Sequence, residues 1–154
     1  MAPLYLLLGD QAGALKSFAW YEREFTDDMG DAGHYLCWAL TLLRSGDEGG
    51  AKVKLRCAML ENRYALPKLL GLGADEAGIR PDRDGLALVY LEGIPDAYHS
   101  LWSDEEKAWA AKHFMSDTWA RLRSRFFEIE ALLENERPGP RRTALVNELF
   151  GMRR

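Results

Sequence analysis

The sequence has few residues that favour β-structure. Of its 154 residues, 3 are valine, 3 are isoleucine and 4 are threonine, whereas 24 are leucine and 19 are alanine. Branched side chains favour strands, and leucine and alanine are among the strongest helix formers. The composition therefore predicts an all-α protein. With 47% apolar residues, the chain can form one helical domain over residues 1–154 with a core of its own.

Cysteines, long apolar runs and net charge are also scarce. Two cysteines are too few for a disulfide framework, and no signal sequence opens the chain, so we expect a cytoplasmic protein. The first apolar run stops at Gly9, short of the roughly eighteen residues that span a membrane. Residues 1–118 carry 12 Lys/Arg and 19 Asp/Glu, and residues 119–154 carry 8 and 5. An acidic body with a mildly basic tail disfavours nucleic-acid binding and favours head-to-tail self-contact.

Apolar residues recur at helical spacing along most of the chain. Five glycine and proline breakers between residues 71 and 85 indicate a loop, and Ser103 with Glu106 predicts a capping box. The four expected longer helices cover residues 10–25, 32–45, 104–114 and 117–135. A further helix follows the break at 45–47, a final helix begins at Pro140, and residues 4–8 form the last turns of another. Short helices are expected at 66–70, at 86–91 and before Trp102.

One short pattern occurs twice, and its two copies lie 37 residues apart. In each copy an apolar helix precedes the pattern and another follows it. A single helix pair cannot bury two apolar sides, so stacked copies share one core, as in a solenoid. The copies read Gly9-Asp10-x-x-Gly13-Ala14-x-x-x-Phe18 and Gly46-Asp47-x-x-Gly50-Ala51-x-x-x-Leu55.

Residues 32–65 resemble a tetratricopeptide repeat. Two features depart from that family: Arg63 stands where the closing proline is expected, and Tyr21 replaces the second small residue in the partial copy over residues 1–28. Residues 72–154 fit no clean copy. The matching positions are Tyr35 as the large aromatic of helix A, Ala39 as its small contact residue, Gly46-Asp47 as the turn, and Ala51, Leu55 and Ala58 as the small, bulky and small residues of helix B.

The resemblance implies antiparallel helix pairs stacked as a right-handed superhelix over residues 1–70. A loop at 71–85 and degenerate repeats or a helical cap over 86–154 would follow. It also implies a non-catalytic scaffold that needs no cofactor and binds a protein or peptide along the groove formed by helix A of each pair. The residues that would face this groove lie outside the apolar positions that pack against neighbouring helices. They are His34, Cys37, Thr41 and Arg44.

Two other places are candidates for association. Arg141 and Arg142 in the basic tail can hold an acidic partner or the acidic body of a neighbouring copy. Residues 3–8 carry no charge, and exposed apolar surface of this kind commonly marks an interface. We therefore expect this segment to contact a second copy of the chain in a homodimer, or a lost upstream region, with Leu4 and Leu6 at the contact. We favour these two alternatives over burial of the segment by other helices of the same chain.

A small helical enzyme or metal-dependent hydrolase is the alternative function. Asp31, His34 and Cys37 lie at helical spacing and can offer metal ligands, but a fourth ligand is not evident. His113 with nearby carboxylates is the other candidate centre. A helix-capping aspartate, isolated histidines and a buried thiol explain the same residues without any site, so we predict neither a metal nor a cofactor.

Overall fold

The computed structural model describes residues 1–26, 30–73, 75–79 and 85–153, and within these ranges every regular element is an α-helix. This confirms the predicted all-α class. The part of the expected loop at 74 and 80–84 lies outside the described residues. The helices are α1 (Ala2–Leu7), α2 (Gln11–Glu24), α3 (Ala32–Arg44), α4 (Glu48–Glu61), α5 (Ala65–Leu70), α6 (Leu86–Glu92), α7 (Asp96–Ser100), α8 (Asp104–Phe114), α9 (Asp117–Asn135) and α10 (Pro140–Gly151).

Local capping signals set where several helices begin. At the start of α8 the backbone N–H of Glu106 donates to Oγ of Ser103 at 3.2 Å, and the N–H of Ser103 donates to the Glu106 carboxylate at 2.8 Å. This is the predicted capping box, which satisfies two N–H groups that have no partner within the helix. Pro140 occupies the first turn of α10, where its missing N–H costs nothing.

The corner between α1 and α2 is formed by Gly9 and Asp10. Gly9 has φ +75°, in the left-handed region that favours glycine. The N–H of Asp10 donates to the carbonyl of Tyr5 at 2.8 Å and ends α1. The Asp10 carboxylate then accepts from the N–H of Gly13 at 2.8 Å and begins α2.

The corner between α3 and α4 is built in the same way. Gly46 has φ +86°, and the N–H of Asp47 donates to the carbonyl of Leu42 at 3.0 Å. The Asp47 carboxylate accepts from the N–H of Gly50 at 2.8 Å. The two copies of the sequence pattern therefore form corners with equivalent hydrogen bonds.

Helix α3 lies at the centre of the N-terminal half and contacts α1, α2, α4 and α7. Lys54 on α4 reaches Glu22 on α2 at 2.7 Å, and its ammonium lies 3.5 Å from the ring centroid of Trp38 on α3. Ala51 and Ala58 have no exposed surface, so α4 approaches its neighbours closely at these positions. The small residues of the pattern therefore belong to the core.

The C-terminal half packs back onto the first half. Helix α5 contacts α4 and α8, α8 contacts α9, and α9 contacts α10. After α10, Arg153 pairs with Glu61 on α4, and its carbonyl accepts a hydrogen bond from Cys57 at 3.2 Å. In the described part of the chain, no helix combines the length and the apolar character needed to cross a membrane.

Candidate interaction surface

Two of the predicted groove residues on α3 do not reach the surface. Cys37 and Thr41 have no exposed area, and burial raises the pKa of the Cys37 thiol to about 12. The carbonyl of Thr41 also accepts from the side chain of Gln11 at 2.7 Å. The expectation that Cys37 and Thr41 face an open groove is therefore wrong, because α7 packs against α3 and α1 on this side.

The other two predicted groove residues have contacts within the chain. The ring of His34 lies 4.5 Å from that of Tyr21, in a cluster of aromatic side chains. Arg44 donates to the Glu106 carboxylate at 2.7 and 3.0 Å and to the carbonyl of Leu101 at 2.7 Å. Arg44 thus fastens the segment between α7 and α8 to the end of α3.

The two arginines of the basic tail differ in their surroundings. Arg142 donates to the carbonyls of Leu133 and Glu136 at 2.7 and 3.0 Å, at the end of α9. Arg142 therefore caps a helix within the chain, and its role in binding a partner stays a prediction. The side chain of Arg141 is 71% exposed and lies 3.3 Å from the Glu136 carboxylate, so it remains accessible.

The N-terminal edge is only partly open. Leu6 is 4% exposed and belongs to the core, so its predicted place at an interface is wrong. Successive residues of a helix point in different directions, so Leu6 packs inward while Leu4 is 55% exposed. The predicted contact is reduced to Leu4 and its exposed neighbours Leu7 and Leu8.

A cleft of about 810 Å³ opens where the start of α3 meets α6, the segment before α7, and α9. Its aromatic walls come from three different elements, which are α6, α7 and α9. Ion-pairing and amide side chains from the end of α4 complete it. Among the residues that line it are Asn62, Arg63, Tyr90, Ile94, Tyr98, Phe127 and Glu130.

Asn62 fixes α6 at one side of the cleft. This side chain is 5% exposed, its amide nitrogen donates to the carbonyl of Ala87 at 2.7 Å, and its amide oxygen accepts from the N–H of Tyr64 at 3.0 Å. A buried amide needs both of its functions satisfied, and here they are. Asn62 therefore holds α6 against the end of α4.

Arg63 and Glu130 form an ion pair within the cleft. The Arg63 guanidinium lies 4.3 Å from the ring centroid of Phe127 and 3.3 Å from the Glu130 carboxylate. Burial raises the pKa of Glu130, while Arg63 and Arg153 act in the opposite direction. Because Arg63 and Glu130 neutralise each other, the aromatic rings Tyr90, Tyr98 and Phe127 offer a partner apolar contact in the cleft.

Helix α6 turns an apolar face to solvent beside the cleft. Leu86, Leu88, Val89 and Tyr90, here called the α6 face, are 52%, 47%, 62% and 71% exposed. Within this fully described helix, Leu91 is the one buried residue. Since Tyr90 also lines the cleft, the α6 face and the cleft form one continuous surface. Exposed apolar surface of this extent typically marks association.

The residues proposed for the enzyme alternative lie in packed surroundings. His113 stacks against Trp109 and Trp119, with ring centroids 4.9 and 5.8 Å apart, and burial lowers its pKa. The Asp31 carboxylate caps α3 by accepting from the N–H of His34 at 2.7 Å. Among the residues that the structure describes, no group of three His, Cys, Asp or Glu side chains is arranged to hold a metal ion.

Compared with models of known protein families, with curated proteins and with solved structures, the chain matches none of them. Function is therefore inferred from the geometry. The sequence predicts a partner groove on α3, a basic site at Arg141 and Arg142 and a contact at Leu4 and Leu6, but not the α6 face. The available signal was the run at 86–91, in which five of six residues are apolar or alanine and the sixth is tyrosine, so that a helix there has no polar side to expose.

Proposed function

We propose that this protein is a non-catalytic interaction module of the cytoplasm, built on helix pairs of the tetratricopeptide type. Its partner is a protein or a peptide segment that binds at the α6 face and the adjoining cleft. The two equivalent corners and the small buried residues of α4 support the repeat assignment. The observation that carries the binding assignment is the exposed α6 face.

The energetics favour an apolar partner surface. Each side chain of the α6 face keeps about half of its area or more in contact with water. Covering it contributes on the order of 1 kcal/mol per side chain. A short helix held by Asn62 presents these side chains in fixed positions, so little ordering entropy opposes binding.

Affinity capture with paired variants tests this assignment. Val89→Asp combined with Tyr90→Asp places two charges on the α6 face. Phe150→Asp is the matched control, because Phe150 is 50% exposed on α10. A protein retained from source-cell lysate by the wild type and the control, and lost with the double variant, supports the assignment. Circular dichroism verifies that all three chains fold, and retention by the double variant contradicts the assignment.

Self-association through the N-terminal edge is a second proposal. Leu4, Leu7 and Leu8 are 55%, 41% and 81% exposed on or just after α1. A second copy of the chain that covers them would remove this apolar surface from water. Sedimentation at high micromolar concentration should show a dimer for the wild type and a monomer for Leu4→Glu. A monomeric wild type contradicts this proposal and leaves the α6 assignment unaffected.

A further inference from the structure

The segment over residues 94–102, here called the strap, lies across α3. It contains α7, which contacts both α3 and α1. Tyr98 on α7 lies close enough to α3 that Cys37 and Asp31 add to the effect of burial in raising its pKa. The strap therefore covers the side of α3 that holds Cys37 and Thr41.

The strap is anchored at its two ends. Ile94 is 7% exposed, and a Cβ added at Gly33 on α3 would lie 3.0 Å from its Cγ2 atom, so Ile94 packs closely against the backbone of α3 at this glycine. At the other end, Arg44 donates to the carbonyl of Leu101, and Trp102 is 3% exposed. Between these anchors, α7 has no buried residue.

Three polar side-chain atoms of the strap itself are buried without hydrogen bonds. Both ring nitrogens of His99 and the indole nitrogen of Trp102 lack a hydrogen-bond partner among the described residues. A buried polar atom without a partner opposes burial, because the same atom is hydrogen-bonded to water when the segment is released. The strap is therefore held less firmly than the core beneath it.

Three charged side chains act on His99. Lys68 on α5 and Lys107 on α8 oppose its protonation, whereas Asp96 on α7 itself favours it and forms a 3.2 Å ion pair with Lys68. Helix α1 has no charged side chain, and the arginine of α3, Arg44, is engaged by Glu106. Burial and the two lysines lower the pKa of His99, with Asp96 acting against them.

We propose that the strap is a pH-sensitive cover of α3, docked while His99 is neutral and released when His99 takes up a proton. A proton on the docked ring would create a buried cation with no acceptor beside two lysines. The released ring has the ordinary histidine pKa of about 6.5 and accepts the proton freely. Release should therefore increase as pH falls below that value, by up to about tenfold between pH 7.5 and pH 5.5.

Amide hydrogen exchange of the full chain measures this release. Rates at pH 7.5 and pH 5.5 are corrected for the intrinsic pH dependence of exchange. In the wild type, the amides of residues 94–102 should exchange up to about tenfold faster at pH 5.5, while those of α9 stay unchanged. His99→Phe keeps an aromatic ring at this position of the strap and should abolish the increase. His113→Phe removes another histidine whose pKa burial lowers, and should leave the increase intact.

Three results would overturn the proposal: no increase in the wild type, an equal increase in His99→Phe, or an equal increase in α9, which would mean global unfolding. Lys68→Gln provides a test if His99→Phe fails to fold. Removing this cation eases protonation of docked His99, so the increase between the two pH values should shrink. An increase that does not shrink contradicts the role assigned to the charges.

Discussion

The effect of replacing Gly50 by alanine should depend on whether Asp47 is present. A Cβ at residue 50 would lie 2.4 Å from Oδ2 and 2.9 Å from Cγ of Asp47. The flexible Asp47 carboxylate has to shift, and we expect this shift to weaken or break its 2.8 Å hydrogen bond to the N–H of residue 50. Alanine at this position therefore removes the helix cap without touching the capping residue.

The expected magnitudes follow from the two opposing effects. Loss of an aspartate cap costs about 1 kcal/mol of unfolding free energy, and alanine in place of glycine contributes up to about 1 kcal/mol. When Asp47 is present, the two effects cancel or Gly50→Ala lowers the free energy of unfolding. In an Asp47→Ala background the cap is already absent, so Gly50→Ala should stabilise. The coupling between the two substitutions should be about 1 kcal/mol.

Urea unfolding of the four chains in this cycle measures the coupling. Gly49→Ala is the matched control in the same helical turn, because its Cβ would lie 3.7 Å from the Asp47 carboxylate, at ordinary contact distance. Gly49→Ala should stabilise equally with and without Asp47. If Gly50→Ala has the same effect in both backgrounds within about 0.3 kcal/mol, the corner geometry is refuted.

Three further predictions concern the packing of α4, the end of α9 and the ion pair of Glu106. Ala58→Trp places a large ring where no surface is exposed and should cost about 1–3 kcal/mol or more, so an unchanged urea midpoint would refute the close packing of α4. Arg142→Ala removes hydrogen bonds to carbonyls at the end of α9 and should lower the free energy of unfolding by about 1–3 kcal/mol. Arg141 is exposed, so Arg141→Ala should change the free energy of unfolding by no more than about 0.5 kcal/mol. Equal thermal midpoints for the two variants would contradict this prediction. Burial alone would raise the pKa of Glu106, but hydrogen bonds, of which that from Arg44 is the largest, outweigh burial and lower the pKa. The ionised Glu106 carboxylate therefore stabilises the fold above pH 4.5, and this contribution is lost as the pH falls through the lowered pKa. Unfolding titrations from pH 6 to pH 3 should show a shallower pH dependence for Glu106→Gln, and an identical slope would contradict the assignment.

Helix positions could be predicted because their signals are local. The predicted helices over residues 104–114 and 117–135 agree with α8 and α9, since Ser103 and Glu106 define one start and Pro138 and Gly139 follow the other end. The repeated corner pattern likewise involves residues within one helical turn of each other. Hydrogen bonds between sequence neighbours require no knowledge of the tertiary fold.

The covered state of α3 could not be predicted in this way. Cys37 and Thr41 lie outside the apolar positions of α3 that pack against neighbouring helix pairs, so the sequence pattern predicts that they are exposed. Helix α3 is covered by helices from other parts of the chain, including α7, whose contact with α3 joins residues distant in sequence. Burial on all sides of α3 is consistent with its composition, since nine of its thirteen residues are buried. Composition nevertheless does not identify which segment supplies the cover.

The strap and the proposed partner surface share side chains, and this links their behaviour. Ile94 and Tyr98 belong to the strap and also line the cleft beside the α6 face. A ligand shifts a conformational equilibrium only by its different affinities for the two states. A partner that contacts Tyr98 in the cleft should therefore bind more weakly at pH 5.5 and protect residues 94–102 from exchange. A partner that needs the uncovered face of α3 should bind more tightly at pH 5.5 and increase exchange of the same amides, so one pair of measurements identifies which face the partner uses.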